Sequence, residues 1–417
     1  MADDDPSPSM AVTGATTPSA PPAPVAPRLR VSQYRTWRRL WGWGVTLLRE
    51  IAFAGAAGLV AVAFYTSPRF NALEGARFSR VLAHLSNRPY VARILLPFVS
   101  FHASRLFDPT VLLGARLRHA FAVFAGVHNV TEPDIPTLGF IILFGVLALR
   151  AAMTLYARLL RRLGGLSEEA VILLTVLSFI SLRMVFEFGD HFFYDPMTIL
   201  LGTSLLYWLE LDMTLAFAVT FVVAMLNKET AFIFIPVGAF VVAARRKSLA
   251  IVARWTVVHA LLAGLAFGSI LWVRGLAMSG NAPWDNFLRD NTAANLAHFV
   301  TAETWMDFRN WLALLFAGWL VFRRFGERPL VLRAGMVGAV VLLSGYVRGS
   351  LYGEGRVFYE VFCPISMLAA VNLAELTRSA AKASWVQLRE RVAIVVGVAA
   401  LSAINWAAVV SALKPAP

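Results

Sequence analysis

The chain is poor in cysteine and poor in charge. One cysteine, Cys363, in 417 residues excludes an intrachain disulfide and any zinc site built on paired cysteines. Cys363 lies in an apolar run, where a thiol acts as a small buried hydrophobe. Several catalytic signatures are also missing. There is no Gly-x-Ser-x-Gly elbow of the kind serine hydrolases use, no P-loop and no His-Glu-x-x-His zinc motif. Charged residues make up 15% of the chain, where soluble domains carry about 25%.

What is present is apolar. Hydrophobic residues account for 58% of the sequence and mean hydropathy is +0.64, against about 45–50% apolar in soluble chains. Several apolar stretches approach the ~20 residues that cross a bilayer as a helix. The expected fold is therefore all-α, a polytopic transmembrane helical bundle. The net charge of +13 sits in short Lys/Arg clusters beside apolar runs, the pattern of membrane orientation. No clustered basic and aromatic domain stands apart from those runs, which argues against a nucleic-acid partner.

Residues 1–27 are rich in Pro, Ala, Ser and Thr and read as a disordered tail. Residues 28–44 are basic and aromatic, Arg28 to Arg39 and on through Trp41 and Trp43, suited to a cytoplasmic interfacial helix. The first apolar run begins near residue 45, too late for a cleaved signal peptide, and reads as a retained anchor. Residues 45–417 form the integral membrane domain. Spans are expected near 45–65, 137–158, 168–187, 195–211, 213–226, 230–245, 253–273, 310–322, 331–347, 358–376 and 391–411, about eleven in all. With the amino terminus inside, the clusters at Arg158–Arg162, Arg245–Lys247, Arg323–Arg333 and Arg378–Arg391 all face the cytoplasm, as positive-inside bias requires. The long loop 66–136 is then extracytoplasmic and carries two amphipathic interfacial helices. One is marked by Val91, Ile94, Leu95 and Phe98, the other lies within 111–127. A second outer loop spans 275–309.

This alternation places the acids with chemical potential on the outer side: Glu74, Asp190, Asp195, Glu229, Asp285, Asp290, Glu354 and Glu360. Asp195-Pro196 suits a helix start. Asp190-His191, in a short aromatic turn, joins an acid to an imidazole that can relay a proton or hold a cation. Asn227-Lys228-Glu229-Thr230 interrupts two apolar runs with an ionisable pair that is costly at membrane depth, so Lys228 and Glu229 pair with each other or engage a ligand. Before the tenth span come Tyr346-x-Arg348 and Gly353-Glu354-Gly355-Arg356-Val357-Phe358-Tyr359-Glu360. Their arginines supply cations suited to a phosphate leaving group. His259 and His298 read as packing or loop residues.

The order of these patches resembles the GT-C superfamily of polytopic glycosyltransferases, which use polyprenyl-phosphate-linked sugars. The resemblance rests on Glu74 after the first span, the run Asn87-Arg88-Pro89-Tyr90-Val91-Ala92-Arg93-Ile94-Leu95-Leu96-Pro97, the Lys228-Glu229 turn and the late Glu354-x-Arg356-x-x-Tyr359 pattern. It implies Glu74 as catalytic base, with Asp190 beside it in the catalytic pair. Lys228, Arg348 and Arg356 would bind the donor phosphate. Tyr90, Arg93, His191, Glu229, Glu354 and Tyr359 would position donor or acceptor. A divalent cation, Mg or Mn, would draw on Glu74, Asp190 and His191. The implied partners are the bilayer, a polyprenyl-phosphate sugar and a glycan, lipid or protein acceptor. The implied location is the extracytoplasmic face of the cytoplasmic (inner) membrane. The alternative is a transporter or flippase for a lipid-linked or anionic solute, which predicts essential charges deep in several spans, where Arg150 and Arg183 are the residues to watch.

Overall fold

The computed structural model describes residues 31–67, 70–71, 95–182, 191–277, 293, 316–349 and 359–379. The chain divides into two compact units, Met1–Leu47 and Leu48–Pro417. The described part of the first is the amino-terminal portion of helix α1 (Val31–Tyr65). In the second unit a two-residue strand β1 (Phe70–Asn71) leads to α2 (Leu95–Leu106), α3 (Ala115–Val127), α4 (Ile135–Gly164) and α5 (Glu168–Ile180). After β2 (His191–Phe192) follow α6 (Asp195–Glu210), α7 (Thr214–Asn227), a 3-10 turn (Glu229–Ile233), α8 (Phe234–Arg246) and α9 (Leu249–Ala277). The last labelled helices are α10 (Leu330–Gly349) and α11 (Phe362–Ser379).

The architecture is helical, as the composition demands. Four helical stretches are long and apolar enough to cross a membrane: Trp43–Tyr65, Glu132–Gly164, Leu249–Trp272 and Tyr359–Leu376. Thr214–Asn227 and Leu330–Ser344 are shorter apolar helices. Of the expected spans, the one at 391–411 lies outside the described residues. Within 66–136, the stretch expected as the first outer loop, helices lie at Leu95–Leu106 and Ala115–Val127, so Leu95 and Phe98 fall in α2, while Val91 and Ile94 lie outside the described residues. On the bundle's outer surface Leu147, Leu177, Val219, Leu261, Leu265 and Trp272 are exposed. Apolar side chains in that number on a helical surface fit contact with lipid.

Local chemistry sets the helix ends. Ser167 caps α5 by accepting from the Ala170 N–H at 3.3 Å, and Glu168 and Glu169 favour its positive end. At the end of α4, Gly165 takes the left-handed conformation (φ 54°) and its N–H donates to the Arg161 carbonyl. That stop is natural to glycine.

Helix α6 is the axis of the bundle. It packs most extensively on α4, and also meets α7, α8, α10 and α11. Its buried residues face every direction, from Pro196 and Ile199 to Leu205, Leu206 and Leu209, as expected of a helix apolar all round. The hydroxyls it buries are satisfied internally: Thr203 donates to the Ile199 carbonyl at 2.8 Å and Ser204 to that of Leu200 at 2.7 Å.

The two ends of the bundle differ in chemistry. At one end Glu210, closing α6, accepts from Arg162 at 3.3 Å and Arg245 at 3.1 Å, so α4, α6 and α8 all finish there. Arg161 pairs with Glu168 at the same end. Glu375 on α11 takes a bidentate bond from Arg328 at 2.5 and 2.6 Å, with Arg323 at 3.4 Å. The basic connectors thus carry their own acids. The opposite end holds the starts of α4, α6 and α11 and the end of α7.

Candidate functional site

At that opposite end the chain makes a parallel bridge between β1 and β2, with Phe70 opposite His191 and Asn71 opposite Phe192. It joins the chain just after α1 to the turn before α6. Asp195 pins the second strand: its Oδ2 accepts the Phe192 N–H at 2.9 Å, and the side chain is fully buried. The expected capping role shifts by one residue, since Tyr194 is the N-cap of α6 and Asp195 is the first residue of the helix. Its carboxylate reaches back to β2, so it holds the turn as well as the helix start. An aromatic layer backs the first strand. Phe70 meets Tyr65 edge-on at 4.9 Å, Phe124 at 6.4 Å and His128 at 5.5 Å between ring centroids. The Tyr65 hydroxyl donates to the Ile141 carbonyl at 3.3 Å, tying α1 to α4.

The second element of the site is a buried ion pair. Helix α7 ends because Lys228 adopts an extended backbone (φ −160°, ψ 125°), after its N–H has bonded the Ala224 carbonyl. The side chain turns inward, and its Nζ lies 3.0 Å from Glu360 Oε1, each side chain 2% exposed. The Thr230 hydroxyl donates to the same oxygen. Asn227 donates to Thr198 Oγ1 at 3.0 Å, linking α7 to α6. Thr198, Gly202, Ala224, Asn227, Lys228 and Glu360 border a cavity of about 10 Å³, close to the space one water needs. Glu360 Oε2 and Asn227 Oδ1 are buried without a hydrogen-bond partner among the described residues.

Of the residues to which the resemblance gives a role, Lys228 and Tyr359 are described in full, and both are buried. Glu229 opens the 3-10 turn, His191 belongs to β2 and Arg348 to the last turn of α10, but their side chains lie outside the description. Glu74, Tyr90, Arg93, Asp190, Glu354 and Arg356 lie outside the described residues. Asp285, Asp290, Arg183 and His298 do too. Among the described residues no three His, Cys, Asp or Glu side chains gather to hold a cation. His259 is a packing residue: its Nδ1 meets the Trp255 carbonyl at 2.8 Å and its ring stacks on Trp255. Cys363 is a free, buried thiol. Arg150 pairs with Glu50 and lies over the Phe53 ring.

Glu360 is the residue whose role the sequence concealed. The alternatives for Lys228 were its neighbour Glu229 or a ligand; the structure adds an acid distant in the chain, Glu360, as a partner. The available signal was a lone carboxylate at the start of a late apolar run, which needs a cation once buried.

His128, closing α3, is half-buried against Phe124 and Phe70, ring centroids 4.6 and 5.5 Å away. Desolvation holds its imidazole below the ordinary histidine range. A depressed histidine means the unfolded chain binds the proton more readily, so stability falls as pH drops through the unfolded value of about 6.5. The thermal midpoint is expected to fall between pH 7.5 and 5.5, and His128→Phe to flatten that slope. An equal slope in the variant would assign the acid sensitivity elsewhere. Comparison with protein-family models, curated proteins and solved structures returns no match to the chain.

Proposed function

We propose that the protein is a membrane glycosyltransferase that moves a sugar from a polyprenyl-phosphate donor to a lipid, glycan or protein acceptor outside the cytoplasmic membrane. The observation that carries this reading is the β1–β2 bridge. It pairs Asn71, three residues before Glu74, with Phe192, two residues after Asp190. The bridge sits at the bundle end opposite the paired arginines. With the positive-inside bias we read that arginine-rich end as cytoplasmic and the bridge end as extracytoplasmic, in a chain with its amino terminus inside and about eleven spans.

The chemistry follows from the residue types. Glu74 removes the proton from the acceptor hydroxyl as the oxygen attacks the anomeric carbon of the donor sugar. The bond from that carbon to the phosphate oxygen breaks, and the electron pair leaves with the polyprenyl phosphate. Arg348 and Arg356 neutralise the charge that grows on the phosphate, with Lys228 part of the same cationic group. Asp190 and His191 orient the acceptor, and Tyr90, Arg93, Glu229, Glu354 and Tyr359 line the approach. A divalent cation, if used, would be held by Glu74, Asp190 and His191 and would supply further charge neutralisation.

The test uses purified protein, radiolabelled polyprenyl-phosphate sugars and a panel of acceptors. Glu74→Gln is expected to slow transfer about 10²–10⁴-fold, the usual worth of a positioned base. Arg356→Ala should raise the donor KM. Transfer indifferent to both substitutions refutes these site assignments. Absence of transfer from every donor, with solute flux in liposomes, supports the transporter alternative instead.

A further inference from the structure

One face of α4 changes character along its length. Leu143, Leu147, Arg150, Thr154, Arg158 and Arg161 follow one another at intervals of three or four, so they share a stripe of the helix. The two leucines are exposed, and so are Arg158 and Arg161. At about 1.5 Å of rise per residue, Leu147 and Arg158 stand roughly 16 Å apart along the axis. Half of a hydrocarbon core measures about 15 Å, so an Arg158 at the edge of one leaflet puts Leu147 near the bilayer midplane. Arg150 lies between them with its head drawn toward the arginine end. Its guanidinium bonds Thr154, one turn nearer that end, and Glu50 on α1, and it sits over the Phe53 ring at 5.4 Å. A long side chain that carries its charge toward the membrane edge in this way is snorkelling.

The charges at this corner of the bundle do not cancel. Arg49 meets Glu50 at 3.2 Å and Glu168 at 3.4 Å, and Arg161 also pairs with Glu168. Arg49, Arg150 and Arg161 thus share two carboxylates. Arg158 has no hydrogen-bond or ion-pair partner among the described residues. Glu169, exposed at the start of α5, is the remaining described acid of the corner, and the balance stays positive. Glu210 gives no relief, because Arg162 and Arg245 already divide it. Membrane orientation alone would be served by arginines anywhere in the connector. Here they continue an exposed apolar stripe, and that sequence of charge at the edge and chain toward the midplane is the outline of a lipid.

We propose that this stripe of α4 binds one anionic phospholipid, its phosphate held by Arg158 and Arg161 and an acyl chain laid along Leu147 toward Leu143. Arg150, turned toward them, adds charge while Glu50 holds it in place. Guanidinium forks suit phosphate oxygens, and basic sites beside membrane helices select anionic headgroups. The site lies at the bundle end opposite the β1–β2 bridge. It rests on contact of α4 with the bilayer and not on the sugar-transfer reading.

The test uses the full chain in a neutral detergent, titrated with phosphatidylglycerol or phosphatidylcholine of the same acyl chains. Native mass spectrometry counts the bound lipid. The wild type is expected to retain phosphatidylglycerol about tenfold more tightly than phosphatidylcholine. Arg158→Gln breaks no internal bond, so its thermal midpoint in lipid-free detergent should match the wild type. It should weaken phosphatidylglycerol about fivefold, and Arg158→Gln with Arg161→Gln about 30-fold, the worth of one and of two basic residues beside an anionic headgroup. Arg254→Gln is the control, since Arg254 is exposed near the start of α9 at the same end, and it should change nothing. Glycerol phosphate, a headgroup without chains, should fail to displace the lipid. Equal retention of the two lipids overturns the proposal, and so does an unaltered affinity in the double variant. An equal loss in Arg254→Gln would mean diffuse attraction by the basic end, and displacement by glycerol phosphate at matched concentration would mean a free-phosphate site; either result overturns it too.

Discussion

Lys228→Met alone is expected to lower folding stability by about 3–5 kcal/mol, whereas Lys228→Met together with Glu360→Met should return it close to the wild type. The asymmetry comes from burial. At 3.0 Å and an effective dielectric of about 20, the gross attraction in the pair is about 5 kcal/mol. Removing each ion from water costs several kcal/mol, so the intact pair is close to neutral in balance. Taking away the cation deletes the attraction and leaves the cost of the carboxylate. Glu360 would then keep the Thr230 hydroxyl, and one hydrogen bond to a charged group supplies only about 1.5–3 kcal/mol net. Methionine in both places removes attraction and cost together while filling nearly the same space. Thermal and denaturant unfolding in detergent would read the difference. Equal midpoints for the single variant and the wild type would show that Lys228 is not the counter-ion on which Glu360 depends.

This prediction also shows how far the sequence carried. Composition alone gave a helical membrane chain, because 58% hydrophobic residues leave no soluble alternative. Helices α4, α6, α7 and α9 lie within a few residues of the apolar runs that marked them, since apolar length is a local signal. The separation of the basic connectors at Arg158–Arg162 and Arg245–Lys247 from the Lys228 turn was legible for the same reason, and Glu210 with Arg162 and Arg245 gives it a geometric form. Pairing across the fold was not legible. Nothing in Asn227-Lys228-Glu229-Thr230 indicates that the lysine meets Glu360, because that contact depends on how α7 and the approach to α11 meet. Asp195 shows a milder version. Asp-Pro marks a helix start from sequence, but whether the carboxylate caps its own helix or reaches back to Phe192 depends on the turn before it. The β1–β2 bridge was invisible as well, for a two-residue strand has no periodicity to read.

Gly202→Ala is expected to destabilise the protein by about 1–3 kcal/mol, the usual cost of overpacking a tight contact, although alanine in a helix interior normally gains up to about 1 kcal/mol over glycine. The sign is decided by what the new methyl meets. At Gly202 it would stand 2.6 Å from the Glu360 carbonyl oxygen and 3.3 Å from that residue's Cα and carbonyl carbon. These are backbone atoms, which cannot rotate away as a side chain does. Relief requires α6 and the start of α11 to part, and that movement lengthens the 3.0 Å contact between Lys228 and Glu360. Gly264 in α9 is the control, because a Cβ there meets nothing within 4 Å. Gly264→Ala should therefore hold or raise stability through helix propensity, opposite in sign to Gly202→Ala. The Gly202 variant should also make the loss from Lys228→Met smaller than in the wild type, since the pair would already be stretched. Such a shortfall is the mark of residues sharing one network. Strict additivity of Gly202→Ala and Lys228→Met, measured in the same detergent unfolding series, would separate the close approach of α6 from the ion pair it adjoins.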